Sequence, residues 1–267
     1  MNALELIREV YRRNPVLALA GWLHVALLSI FICAAFFDAR MVTGVNPWIK
    51  PSKFAASFII YTFTLAWFLP YLSHYRRTVK FISWGTAFVF VGETLCIASQ
   101  AARGVPSHFN ISTAYDSTVF SLMGLLITFN TLLVLLTLFL FFRQTAPLAP
   151  AYVWGIRLGL LLFFLSSVEG YAMASNMAHT VGMPDGGPGL PVVNWSTRAG
   201  DLRIAHFLGF HALQILPFAG YSFSRWRADA VRRRAVAFTL AFGLIYFIAF
   251  SLLFLQASHG RPLIAWL

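Results

Sequence analysis

The stretch AVAFTLAFGLIYFIAFSLLFLQ occupies residues 235–256 and carries no charged side chain. About 20 apolar residues suffice for a helix to cross the hydrocarbon core of a bilayer. This run is long enough to do so and too apolar for a solvated helix. Six further runs of the same kind lie upstream, at Val16–Phe37, Phe54–Leu72, Phe81–Ala101, Thr118–Phe142, Ala151–Asn176 and Ile204–Phe223. The expected fold is therefore an all-α bundle of about seven transmembrane helices, with residues 1–267 forming one polytopic domain. The run at 204–223 is the most polar of the set. The first apolar run is too long for the core of a cleavable signal peptide and reads as a span.

Composition agrees. Of the 267 residues, 59% are hydrophobic and only 11% are charged, against about 25% charged in an average soluble domain. Mean hydropathy is +0.72. A water-soluble enzyme and a disordered chain are both excluded. The net charge of +11 would point to nucleic acid in a soluble protein. Here it reads as loop arginine facing anionic headgroups, so lipids rather than nucleic acid are the expected partners. Cys33 and Cys96 sit in separate apolar runs with no C-x-x-C or zinc-type spacing, which predicts two small buried apolar residues and no disulfide.

Basic residues divide between alternate connections. Arg8, Arg12, Arg13, Arg76, Arg77, Lys80, Arg143, Arg157, Arg225, Arg227, Arg232, Arg233 and Arg234 form one set. Arg40, Lys50, Lys53, Arg103, Arg198, Arg203 and Arg261 form the other. The larger set is cytoplasmic by the positive-inside rule. That places the N-terminus inside and the C-terminus outside, in a bacterial inner membrane.

Ionisable side chains within spans mark functional sites by default. At a rise of about 1.5 Å per residue, Glu93 lies roughly 12 Å in from the outer end of its span, Glu169 roughly 10 Å, and His211 roughly 10–12 Å. His206 falls near the outer edge of the same span as His211, and His24 and Asn130 near the midplane. Acids and histidines thus gather toward one side. Thr86, Glu93 and Gln100 share a helical stripe, as do Ser166, Glu169 and Asn176, and as do Lys53, Ser57, Tyr61 and Thr64; His211 and Gln214 are one turn apart. These stripes predict a shared polar cavity.

Histidine and carboxylate suit a divalent metal, and His206, His211 and Glu169 are the expected metal ligands. His24 facing His211 or His206 would suit a b-type haem. Glu93 and Glu169 are the expected catalytic acid/base groups. Lys53, Tyr61, Asn130, Arg203 and Gln214 are the expected substrate contacts. The function expected is a metal- or haem-dependent enzyme, an oxidoreductase, acting on a lipophilic small molecule or quinone. The alternatives are a proton- or cation-coupled transporter and a non-catalytic membrane subunit. The long connection from His179 to Arg203 holds three prolines and a Gly-Gly pair and reads as an ordered lid without helix.

Seven spans with a one-sided His/acid site loosely resemble the seven-helix ceramidase and progestin-receptor-like hydrolases, which bind zinc inside the membrane. Those carry H-x-x-x-H late in the chain, whereas this sequence has H-x-x-x-x-H from His206 to His211 and no histidine in its second run. No site residue is carried over.

Overall fold

The computed structural model describes residues 2–226 and 229–264. Arg227, part of the basic set read as cytoplasmic, lies outside the described residues. Among the described residues the chain is all-α apart from one two-stranded ribbon, and six helices are long and apolar enough to cross a membrane. It is a multi-pass membrane protein. Large apolar side chains such as Phe37, Phe88, Leu125 and Phe218 are exposed on its helices. The helix at 203–224 does not join the six. Its arginine, two histidines, glutamine and proline dilute its apolarity, so the expected seventh span is not established by length and composition.

The chain divides into two compact units, residues 1–133 and 134–267. The first holds α1 (Ala3–Arg13), α2 (Pro15–Phe37), α3 (Ile49–Phe68), α4 (Arg76–Arg103) and the greater part of α5 (Ala114–Arg143). Helix α1 was not anticipated. It is started by a capping box, in which Asn2 and Glu5 exchange side-chain and backbone hydrogen bonds, satisfying two amide donors the helix start leaves over. Asn14 then ends α1 and caps α2, accepting from the Leu17 amide and donating to Ser83 Oγ at 2.7 Å. The Arg13 guanidinium lies over Trp67, 4.1 Å from the ring centre, and donates to the Trp67 carbonyl. Cys33 is exposed, contrary to expectation, while Cys96 is buried beside Ile97, Val119 and Met123. Both thiols are free.

The second unit holds the end of α5, α6 (Pro150–Asn176), α7 (Arg203–Ser224), α8 (Asp229–Arg233) and α9 (Ala235–Ser258). Its organising contact is α6 on α7. A Cβ added at Gly155 would strike the Leu216 carbonyl oxygen, and one at Gly159 would stand 2.8 Å from the Ala212 carbonyl oxygen. Pro217 lies against both glycines. Small residues one turn apart let two backbones approach, which is how helices associate where lipid offers no hydrophobic contrast. Leu162, Ala205, Ala212, Leu216, Tyr246 and Phe250 fill the space shared by α6, α7 and α9. The Tyr246 hydroxyl donates to the Leu208 carbonyl at 2.7 Å. Arg157, placed in the cytoplasmic basic set, lies within α6 and donates twice to the Phe141 carbonyl near the end of α5, where carbonyls lack helical partners.

Between α6 and α7 the connection is ordered without helix. Strands β1 (Thr180–Val181) and β2 (Gly200–Asp201) pair antiparallel. A further bridge joins Gly189 to Ser196. Asp185 ties the ribbon's entrance, accepting from the His179 and Thr180 amides, from Thr180 Oγ1 and from His179 Nδ1. Burial alone would raise its carboxyl, but the His179 and Thr180 hydrogen bonds outweigh it and hold the group well below its ordinary value of 3.8. A carboxyl depressed on folding contributes stability above its unfolded value and loses that contribution as pH falls through the folded one. Protection of the His179 and Thr180 amides against hydrogen exchange should therefore hold at neutral and mildly acidic pH and decline only below about pH 4. Asp185→Asn should show the weakened protection at every pH.

Candidate functional site

On α6, Gly155, Gly159, Ser166 and Gly170 recur at spacings of four, seven and four, which keeps them on the face turned to α7. Gly209 of α7 meets Ser166 Cβ, and Gly170 lies 3.1 Å, as a Cβ would, from His206 Cε1. The closeness of the two helices brings Glu169 and His206 together. His206 Nδ1–H donates to Glu169 Oε2 at 2.9 Å, and the Ser166 hydroxyl donates to the His206 carbonyl at 2.9 Å. The carboxylate side chain is 4% exposed and the imidazole 24%. Glu169 Oε1 has no hydrogen-bond partner among the described residues. Phe210 packs 4.1 Å from the imidazole centre. A carboxylate on Nδ1 fixes the tautomer and orientation of a histidine and leaves Nε2 to exchange a proton.

His211 does not join this pair. Five residues after His206, it points about 140° away around α7, and α7 runs as one helix through both positions. Its ring packs on Phe207 at 4.2 Å, with Gln214 as its side-chain hydrogen-bond neighbour. Trp195 of the connecting loop sits against Phe207 at 5.5 Å. Among the described residues no three His, Cys, Asp or Glu side chains are disposed to hold a metal ion. The expected ligand set of His206, His211 and Glu169 is therefore not assembled, although two of its members touch.

In the first unit, His24 is fully buried and occupied on both ring nitrogens. Nδ1 faces the Ala20 carbonyl at 2.7 Å, and Nε2 faces Thr94 Oγ1 at 3.0 Å and the Phe90 carbonyl at 3.3 Å. So placed, it ties α2 to α4 and has no nitrogen left for a haem iron. The stripe on α3 is only partly inward. Tyr61 is buried, Lys53 is half-buried, Ser57 is exposed, and Thr64 turns its hydroxyl to the Ile60 carbonyl of its own helix. Tyr61 lies beside the Asn130 amide. On α4, Thr86, Glu93 and Gln100 are all buried. Gln100 is taken up by Asp116, at 2.8 Å, and by Arg103, which also pairs with Asp116. Thr86 Oγ1, Glu93 Oε1 and Asn130 Oδ1 remain without partners among the described residues.

Arg203, expected to contact substrate, is instead committed to the loop. It grips Asp201 with Nε at 2.8 Å and Nη2 at 2.6 Å, and donates to the Asn194 carbonyl. The sequence reading missed the row of small residues on α6 that juxtaposes Glu169 and His206. The signal was present as Gly155-Ile156-Arg157-Leu158-Gly159. Searches against protein-family models, curated proteins and solved structures find no match to the chain.

Proposed function

We propose that the chain is a membrane-embedded acid–base protein in which Glu169 orients His206 to exchange a proton with a lipophilic small molecule. The observation that carries this reading is the 2.9 Å bond between a buried carboxylate and a half-buried imidazole. A quinone, whose carbonyl oxygen takes up a proton on reduction, is the substrate chemistry we favour; the electrons for that reduction would come from a separate donor. In this reading α7 is a seventh, polar span sheltered by α6 and α9, the N-terminus is cytoplasmic, the C-terminus lies outside, and the membrane is a bacterial inner membrane. The pair then lies toward the outer side. His211 and Gln214, beneath Trp195 and Phe207, would form the wall nearest the loop.

The test of function uses decylubiquinone and protein in lipid nanodiscs. Wild type should show saturable quenching of tryptophan fluorescence. Glu169→Gln and His206→Asn should each weaken binding about tenfold or more, the loss of a hydrogen bond to a charged group. Quenching that never saturates, or variants that bind as wild type does, would sink the reading. A visible spectrum and elemental analysis of the same sample test the metal and haem expectation separately. A Soret band or stoichiometric metal would move the site toward a ligated centre. For topology, a reporter fused after Leu267 should be active only on the outer side, and one inserted in the Trp226–Arg234 connection only in the cytoplasm. The reverse pattern in both inverts the sidedness.

A further inference from the structure

A second polar site stands in the first unit, apart from the His206–Glu169 pair. Thr86 and Glu93 of α4 and Asn130 of α5 are 0%, 3% and 1% exposed, and each keeps a side-chain oxygen with no hydrogen-bond partner among the described residues. Buried polar atoms are nearly always paired, and those left over call for an explanation.

Their order along the helices can be read from the packing. A Cβ at Gly85 would meet Leu133, and one at Gly92 would meet Leu126. Helices α4 and α5 run antiparallel there, so Asn130 falls level with the turn after Gly85, the turn that holds Thr86. Tyr61 of α3 adjoins Asn130 and sets its ring edge against Phe90, with centres 4.9 Å apart. Glu93 follows about 10 Å beyond Thr86 along the axis. Lys50, at the start of α3, is the cation whose field reaches Glu93.

That spacing excludes one ion coordinated by all of these oxygens. A row of separate acceptors is satisfied by a row of small donors, and water is the donor that polar cavities in proteins hold, typically with two to four partners each. We infer that α3, α4 and α5 enclose a hydrogen-bonded file of water running from the Thr86–Asn130–Tyr61 level to Glu93, and that Glu93 exchanges a proton through it. The charged and titratable neighbours are few. Lys50 comes from α3 and Cys96 from the next turn of α4. His24 of α2 is bound to Thr94, and Asp116 of α5 is held by Gln100, Arg103 and Thr113. The Phe58–Phe90 stack, with centres 4.0 Å apart, lies next to Tyr61 as an apolar wall.

The experiment is infrared difference spectroscopy of the full chain in nanodiscs, moved from water to deuterium oxide over a range of pH. The carboxylic-acid band of Glu93 is identified by its loss in Glu93→Gln. In wild type that band should grow and fade reversibly with pH, and should shift on deuteration faster than the backbone amides of α4 exchange. Thr86→Val, nearly isosteric, and Asn130→Leu each remove a link and should slow the shift about tenfold, the worth of one hydrogen bond. Thr86→Val carries the test should Asn130→Leu fail to fold. Glu169→Gln should leave the Glu93 band and its rate unchanged, so this inference and the acid–base pair fail separately. Absence of a Glu93-dependent band at every pH overturns the inference. So does exchange as slow as that of the α4 amides, or an unchanged rate in Thr86→Val.

Discussion

Gly155→Val should destabilise the protein more than any other single substitution considered, by about 3 kcal/mol or more, the upper end of what overpacking costs. The added Cβ would collide with the Leu216 carbonyl oxygen and stand 2.8 Å from Pro217 Cα. Those atoms are backbone on a helix braced by Tyr246 and Phe250, so no flexible side chain can move aside. Helices α6 and α7 must part, and with them Glu169 and His206. The measurement is the midpoint of unfolding in a mixed-micelle detergent titration, with decylubiquinone binding recorded on the same samples. Gly124→Ala is the control, because nothing lies within 4 Å of its added Cβ. Its midpoint should stay put or rise. An unchanged midpoint for Gly155→Val would mean that the α6–α7 approach is looser than the structure describes.

Asp201→Ala should undo the loop rather than the bundle. Asp201 is fully buried and accepts from Arg203 Nε, Nη2 and backbone amide and from the Ser196 amide at 2.7 Å. Removing one member of a buried ion pair leaves the other uncompensated, at a cost of about 3–5 kcal/mol. Arg203 keeps a quarter of its side chain exposed, so the lower end of that range applies. The Asn194 carbonyl loses its anchor with it, and Val192 and Asn194, both held at positive φ, are then free to relax. Tryptic cleavage after Arg198 should be slow in wild type and rapid in Asp201→Ala, with Asp201→Asn between them. Equal cleavage rates would show that the loop is held by other contacts, such as the seating of Gly200 against the Ala257 carbonyl.

Glu93 and Glu169 are buried, as the cost of exposing a carboxylate to hydrocarbon requires. Thr86, Glu93 and Gln100 face inward together because a seven-residue period is nearly two helical turns. Ser57 and Thr64 failed the same argument. A hydroxyl in an apolar helix can bond back to its own backbone, as Thr64 does to Ile60, and so need not face a cavity. His24 illustrates the matching error for an imidazole. Its place within an apolar run was legible, but Thr94 and the Phe90 carbonyl, which occupy its ring, come from a helix about 70 residues away in sequence.

Apolar runs of spanning length, nearly devoid of charge, settled from sequence alone that this is a multi-pass helical membrane protein. Run length and polarity are local quantities, and the bilayer enforces both on any chain that enters it. Which polar residues meet was decided only in three dimensions. The pairing of Glu169 with His206, the separation of His211 from both, and the capture of Arg203 by Asp201 depend on how closely α6 and α7 pack and on how the loop folds back. Those distances are set by side-chain volume at Gly155, Gly159, Ser166 and Gly170 against a particular partner helix. Helical periodicity says which face a residue occupies, and packing alone says what stands opposite.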